Sequence, residues 1–568
     1  MRRLLPLALV ALLALTLLPG LAAVDALDER EARDLVTAYE STERREWLSP
    51  VYAHEPLFEK PLPGYAPDVL ARRLLVRLMP ATGGQILDVA VSRAVRALLA
   101  AALAFAVAAI GRRAFNERSG WLAGCVLASM LGLPLAARAD GVQVYGTLLA
   151  WLGLGQLLAV LTARARAPGP SLMLGWLALG GAAMAGGPLP ALWPLAGFGL
   201  YFALARHHAG WRALNPVVGL LVVSGACLPW YGLMTAIHGP VFLTHVPWFP
   251  YGTGQRTSWL AGPPLALSYA VVTTFPWTPV LAAALADAAL RLRRSSAIAP
   301  WAAAGNATSR PAPALPLDTE HVEHLLLALA LAGALPVALY PGPPLTAALP
   351  ALPAVALLVG RFVDRVLDGR QGVTALTQAT RLLAVIGTAF ALAGLALSGR
   401  LPAAAPGLRL LSALVFLCAW APMLADLRGA RKAAVALFAL PAALGAPILL
   451  VRVLPALEPW LNARGVAEAM EQISPPRAPL VVFEPPPPSL RQTLARNLVL
   501  RTHVNAGDRD VTARDGFVYA AYRPANERAG LAALAPLGAT PEVIARTPVL
   551  VLVRVRSGSS GSNGSNAP

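Results

Sequence analysis

Residues 25–65, "DALDEREARDLVTAYESTERREWLSPVYAHEPLFEKPLPGY", follow directly on an apolar run from Leu4 to Val24. A dense acidic stretch placed straight after an apolar run marks the level of one membrane surface. The side on which it lies follows from the charges elsewhere in the chain.

The chain has 568 residues, 56% hydrophobic and 14% charged, against about 25% charged in soluble domains. Further apolar runs fall at 93–111, 119–136, 142–163, 171–186, 188–205, 215–235, 260–290, 322–339, 345–362, 381–399, 408–425 and 433–451. With the first run they make about thirteen membrane-spanning helices. The expected fold class is therefore an all-α polytopic membrane protein. The net charge of +17 is not read as a nucleic-acid footprint, because basic residues of membrane proteins collect in cytoplasmic loops. Cys125, Cys227 and Cys418 each sit in an apolar run, so neither a disulfide framework nor a metal cluster is expected. Lys60 and Lys432 are the only lysines in an arginine-rich chain, which suggests a GC-rich bacterial genome and makes each lysine notable.

The start, "MRRLLPLALVALLALTLLPGLAA", reads as a signal peptide or as a retained first helix. The length of its apolar run favours the retained helix. One set of alternate loops holds Arg2/Arg3, Arg112/Arg113/Arg118, Arg164/Arg166, Arg206/Arg212, Arg291/Arg293/Arg294, Arg361/Arg365/Arg370 and Arg428/Arg431/Lys432. That set is assigned to the cytoplasm. The loop 25–84 and the C-terminal segment then lie outside a bacterial inner membrane.

Three units are expected: a transmembrane part over 1–451, an external α/β domain over 452–556 and a disordered tail over 557–568. The α/β domain rests on "LVVF", "NLVLRTHV", "FVYAAY" and "VLVLVRV", with a helix-like "GLAALAPL". The tail, "SGSSGSNGSNAP", is low-complexity. A Pro/Ala-rich linker is expected over 295–320. Two helices of the 25–84 loop read as lying on the membrane. In the first, Ala32, Leu35, Val36 and Tyr39 form an apolar face, with Glu31, Arg33, Asp34 and Glu40 elsewhere. In the second, Leu70, Leu74 and Leu78 oppose Arg72, Arg73 and Arg77.

The loop also carries Asp28-Glu29, then Trp47-Leu48-Ser49-Pro50, then Phe58-Glu59-Lys60-Pro61. In order and spacing these resemble the first external loop of the GT-C glycosyltransferases that use polyprenyl-phosphate sugars. The likeness is strongest to the aminoarabinose (lipid A) transferase and protein mannosyltransferase-like group. Weaker echoes are "PLAARADG" (134–141), "GGP" (186–188), "LPWY" (228–231), "HGPVFL" (238–243), "FPWTPVL" (275–281) and "LPALPAVALL" (349–358). The resemblance covers about the first 360 residues. Two family lysines and a tyrosine are missing, at Gly186-Gly187-Pro188 and in "GPPLTAA" (342–348).

The resemblance implies a sugar taken from a polyprenyl-phosphate donor and passed to a lipid, glycan or protein acceptor, with inversion, on the outer membrane face. A lipid phosphate is already a good leaving group. The enzyme must supply a carboxylate for the acceptor hydroxyl and a cation for the departing phosphate. By the resemblance Asp28 and Asp140 are catalytic, while Lys60, Glu29, Glu59 and Arg256 bind substrate or phosphate. No cofactor or metal ligand set is implied, and a divalent-metal requirement stays open.

Plainer readings stand beside these. Asp28 with Glu31 also fits a capping box, Lys60 a solvated charge, and Asp140 a turn residue at the interface. Glu59 fits an ion pair with Lys60. "HVEH" (321–324) has two histidines but no further ligands, and "DRVLD" (364–368) reads as a solvated helix end. The rival functional class is a non-catalytic membrane scaffold or a transporter of lipid-linked substrates. A coupled transporter would carry ionisable groups near the bilayer midplane and repeated halves.

Overall fold

The computed structural model describes residues 4–556 except 27–28, 44–47, 53–54, 59, 79–84, 206–207, 241, 243–261, 295–315, 340–344, 370–371, 476–477, 484–486, 494–497, 502, 506–507 and 509. The expected apolar runs lie largely on helix, but in the first, Leu4–Val24, the helix stops at Leu17. α1 (Leu5–Leu17) leads into the loop helices α2 (Glu29–Glu43) and α3 (Ala66–Leu78). Between them lie the short strands β1 (Val51–Tyr52) and β2 (Glu55–Pro56) and a 3-10 turn, Leu62–Tyr65. Then come α4 (Gln85–Ala114), α5 (Glu117–Ala128), α6 (Gly132–Ala139), α7 (Gly141–Leu161), α8 (Pro168–Gly186) and α9 (Leu189–Leu204). They are followed by α10 (His208–Leu214), α11 (Pro216–His238), α12 (Gly262–Thr274), α13 (Thr278–Arg294) and α14 (Thr319–Leu339). A 3-10 segment, Leu345–Ala351, opens α15 (Leu352–Leu367); α16 (Val373–Arg400) and α17 (Ala405–Leu427) succeed it. The last membrane stretch is α18 (Arg431–Leu437), α19 (Leu440–Ile448) and α20 (Leu454–Leu461).

Among the described residues eight helical stretches are long and apolar enough to cross a membrane, or up to ten if each of two bent pairs is one span. α1 and α9 are shorter apolar helices of 13 and 16 residues. The bent pairs correct two expected straight spans. The run 119–136 is α5 and α6, bent by 56°, and the run 260–290 is α12 and α13, bent by 114°. Pro134 and Pro276 explain both, since proline lacks the N–H a continuing helix needs. The two breaks satisfy each other. The Leu131 N–H donates to the Phe275 carbonyl (3.0 Å), and Trp277 Nε1 donates to the Ser129 hydroxyl (2.9 Å). Backbone groups freed inside a bilayer need such partners.

The segment 345–367 defines two ends of the bundle, about 30 Å apart from Thr346 to Asp364 at 1.5–2.0 Å per residue. At the Asp364 end, its carboxylate accepts from Asn116 Nδ2 and Ser119 Oγ (2.7 Å each) and from Arg118 and Arg361. Arg365 joins Asp287 (3.0 Å) and Glu323. Asp364 is 1% exposed, so the start of "DRVLD" is a buried ionic junction rather than a solvated helix end, while Asp368 at its end is exposed and pairs with Arg118. Asp364 is buried because Arg118, Arg361, Asn116 and Ser119 close over it. This end gathers arginines of the loop set assigned to the cytoplasm.

At the C-terminus a five-stranded sheet of order β4-β3-β5-β7-β6 forms, from β3 (Leu480–Val482), β4 (Leu498–Leu500), β5 (Phe517–Tyr522), β6 (Glu542–Arg546) and β7 (Val551–Arg556). β3 runs parallel to β4 and β5; β7 is antiparallel to β5 and β6. The four expected β-runs are β3, β4, β5 and β7. β6, "EVIAR", was not expected. Helices α21 (Arg464–Ile473), α22 (Pro488–Thr493) and α23 (Glu527–Leu534) complete this part. It rests on the first loop through α22, which packs on α2; the end of α20 before it holds the loop too, with Asn462 Nδ2 donating to the Ala26 carbonyl (2.8 Å) and the Asp25 N–H donating to Glu458 (3.0 Å). The linker expected over 295–320 lies outside the described residues as far as 315, and its end is already helix, since α14 begins at Thr319; the tail 557–568 also lies outside them.

Candidate active site

The α2 helix forms from a sequence with apolar residues on one side, but Ala32, Leu35 and Val36 are buried within the protein rather than laid on the membrane, and only Tyr39 of that face is exposed. The opposite side is not wet. Glu31, Asp34, Thr37 and Ser41 are 0–3% exposed and fall on one stripe at spacings of three and four. The expected surface helix with a solvated polar face is therefore a helix whose polar face turns into the protein.

The reason stands on α4. Arg93 and Arg96, three residues apart, meet that stripe. Arg93 Nε and Nη2 donate to the two oxygens of Glu31 at 2.8 Å each. Arg96 Nη2 donates to Asp68 (3.0 Å) and its Nη1 to Glu31 (3.3 Å). Ser92 also donates to Asp68. Arg93 further holds the carbonyls of Leu21, Val24 (2.7 Å) and Asp25. Arg138 holds those of Leu17 (2.8 Å) and Pro19. Buried guanidinium groups thus satisfy the backbone where α1 ends and the acidic loop begins.

Lys60 reaches the same stripe from the far end of the loop. It is 9% exposed, not solvated, and its Nζ lies 3.5 Å from Asp34 Oδ1 and 5.9 Å from the centre of the Tyr65 ring. The 3-10 turn after Lys60 lies against the C-terminus of α8. A Cβ on Gly64 would stand 2.1 Å from the Ala185 carbonyl oxygen, so this approach needs glycine.

Asp140 enters at the α6–α7 junction. Its Oδ1 caps α7 by accepting from the Gln143 N–H (2.9 Å), and its Oδ2 accepts from Thr346 Oγ1 (3.3 Å). It is the turn residue of the plainer reading, yet 8% exposed. Thr346 comes from the "GPPLTAA" segment. Behind Asp140, the Arg96 side chain crosses Gly141 so closely that a Cβ there would lie 2.5 Å from Nε.

These groups share one electrostatic neighbourhood centred on Asp34. Burial pushes the Asp34 carboxyl up to about 6. The Lys60 ammonium opposes the rise, Asp140 adds to it, Arg96 opposes it and Asp68 adds to it.

The other quoted segments also converge. Trp230 Nε1 donates to the Leu48 carbonyl (3.0 Å), and Ser49 Oγ lies 2.8 Å from His238 Nε2. The Phe58 ring packs edge-on against His238 and Phe242, with centroids 4.9 and 5.3 Å apart. "WLSP" and "FEKP" thereby meet "LPWY" and "HGPVF".

Of the expected site residues, the structure brings Lys60 and Asp140 together around Asp34. Glu29 is the first residue of α2. Asp28, Glu59 and Arg256 lie outside the described residues. The sequence reading missed Asp34, Glu31, Arg93, Arg96 and Asp68. A signal was present: acids at 31 and 34, and arginines at 93 and 96 at the start of an apolar run, where arginine is a mark of function or pairing. Among the described residues no three histidine, cysteine or acidic side chains form a metal-ligand group.

No protein-family model matches this chain, and no curated protein matches it in sequence. Solved structures do match in shape. ArnT from Cupriavidus metallidurans bound to undecaprenyl phosphate superposes with a TM-score of 0.72 at 17% identity, over 97% of this chain and 96% of that one. Its apo state gives 0.71 with the same identity and coverage. The oligosaccharyltransferase of Archaeoglobus fulgidus gives 0.47 at 12% identity, over 94% of this chain and 70% of that one. The chain has the ArnT fold along nearly its whole length, the all-α polytopic class with a small C-terminal sheet region.

Proposed function

We propose that this chain is a membrane glycosyltransferase of the GT-C type. It moves a sugar from a polyprenyl-phosphate donor to a lipid, glycan or protein acceptor on the outer face of a bacterial inner membrane. The observation that carries the reading is a buried lysine among carboxylates, at the end of the bundle opposite the arginine-rich loops. Its fold is shared with a protein solved with undecaprenyl phosphate bound.

Chemically, the acceptor hydroxyl attacks the anomeric carbon as the bond from that carbon to the phosphate oxygen breaks. The electron pair stays on the phosphate oxygen, beside the Lys60 ammonium. The hydroxyl proton passes to a carboxylate, assigned to Asp28, and attack from the far side inverts the centre. Asp140 adds a second carboxylate; Glu29, Glu59 and Arg256 belong to the substrate-binding set by the sequence resemblance. The sheet at the C-terminus, seated on the loop, suits acceptor selection.

The test is mass spectrometry of lipid A, glycans and envelope proteins from a strain lacking the gene. One sugar modification should vanish, return with the wild-type gene and not return with Lys60→Ala. A strain without any lost modification would favour the scaffold or transporter reading.

A further inference from the structure

Asp34 belongs to none of the segments that carry the sequence resemblance, yet it sits at the centre of the site. The residue is 3% exposed and its carboxylate lies 3.5 Å from Lys60 Nζ. Around it stand Lys60 from the loop, Asp140 from the α6–α7 junction, Arg96 from α4 and Asp68 from α3. On its own helix is Glu31, bound to Arg93 and Arg96, and Tyr65 lies near Lys60 on the 3-10 turn.

We infer that Asp34 is a positioning residue that holds Lys60 until a lipid phosphate takes its place, so that donor binding is linked to uptake of one proton by Asp34. The inference rests on the proposed role of Lys60. A phosphate oxygen and the Asp34 carboxylate compete for one ammonium. When the phosphate arrives, Asp34 loses its cation and faces a new anion, while Asp140 and Asp68 remain nearby. Every one of these changes favours the protonated carboxyl. Burial has already raised Asp34 to about 6, so the uptake falls in an accessible pH range. Above that range the ionised carboxylate pairs with Lys60 and repels phosphate; below it the neutral carboxyl does neither. Sugar transfer then converts a singly charged phosphodiester into a phosphate monoester that gains charge. A neutral Asp34 leaves the full lysine charge for that product.

The experiment measures undecaprenyl phosphate binding to the full chain in nanodiscs of zwitterionic lipid between pH 5.5 and 7.5. Wild type, Asp34→Asn, Asp34→Ser and Lys60→Ala are compared. The phosphate's own titration is common to all, so the ratio of wild-type Kd to Asp34→Asn Kd isolates Asp34. That ratio should rise about tenfold from pH 5.5 to 7.5, as one linked proton requires. Asp34→Ser serves as the reference should the asparagine variant insert poorly. A merely structural Asp34 would weaken binding equally at every pH, and a flat ratio overturns the inference while leaving the lysine role intact. Absence of binding to wild type, or binding unchanged in Lys60→Ala, overturns the lipid-phosphate reading and this inference with it.

Discussion

Glu31 and Arg93 face each other through two parallel hydrogen bonds of 2.8 Å, with side chains 0% and 2% exposed. Removing one partner strands the other charge in a dry site, at a cost of about 3–5 kcal/mol. Glu31→Ala and Arg93→Ala should each lower the thermal midpoint of the detergent-solubilised protein sharply. Arg93→Lys should recover little, because lysine cannot reproduce a two-point fork. A midpoint unchanged in both alanine variants would show that the pair contributes nothing.

Lys60→Ala should lose most sugar transfer and weaken donor binding. Lys60→Arg should restore only part, since a wide planar guanidinium replaces a compact charge. Turnover assays per correctly inserted molecule decide it, and wild-type rates in the alanine variant would remove Lys60 from the chemistry.

For Asp28 the two readings separate cleanly, because α2 begins at Glu29 and asparagine caps a helix about as well as aspartate. A residue that only caps would tolerate Asp28→Asn. A general base would not, and transfer should fall about a hundredfold or more while folding stays normal. Asp28→Ala should in addition cost up to about 2 kcal/mol of stability.

Asp34 sets a pH dependence of stability whose sign is opposite to that of an ordinary ion-paired acid. Its carboxyl is raised from 3.8 to about 6 in the folded chain. The stabilisation it brings is therefore complete below about pH 4 and is lost as pH rises through about 6. Asp34→Asn keeps the neutral form at all pH. It should be more stable than wild type at pH 8 by up to about 3 kcal/mol, and the gap should close below about pH 4. Thermal midpoints over pH 4–8 measure this; a gap that widens toward acid would falsify the assignment.

Orientation is checked with cysteine probes in a background lacking Cys125, Cys227 and Cys418. Ser41 and Ser489 are each 2% exposed and unsuited to labelling, whereas Glu55 and Arg528 are exposed. Probes at Glu55 and Arg528 should react in intact cells, and one at Ser309 should not. The reverse pattern would put the candidate site on the cytoplasmic face.

The apolar runs were legible because twenty or so consecutive hydrophobic residues have few other uses. The breaks near Gly132 and Pro276 were not, since hydrophobicity continues unbroken through them and only partner contacts make them tolerable. Strand β6 escaped because "EVIAR" is short and half polar. Lys60 and Asp140 could be picked out by resemblance. Asp34 could not, because helical periodicity assigns a polar residue to the face opposite the apolar one without saying whether water or protein lies there. The arginine pair at 93 and 96 held that information, three residues apart like the acids at 31 and 34, but at the edge of a run read simply as membrane.

The hydrogen bond from Asp25 to Glu458 joins residues 433 positions apart. At about 5–20 residues per second, synthesis takes on the order of half a minute to cross that interval. Throughout it the acidic loop has already left the ribosome, while the segment that fastens it has not been made. A nascent chain stalled before Glu458 would therefore hold its helices in the bilayer but lack the anchor at Asp25. On the proposed glycosyltransferase reading, the loop that carries the candidate site is fastened only when translation is nearly complete.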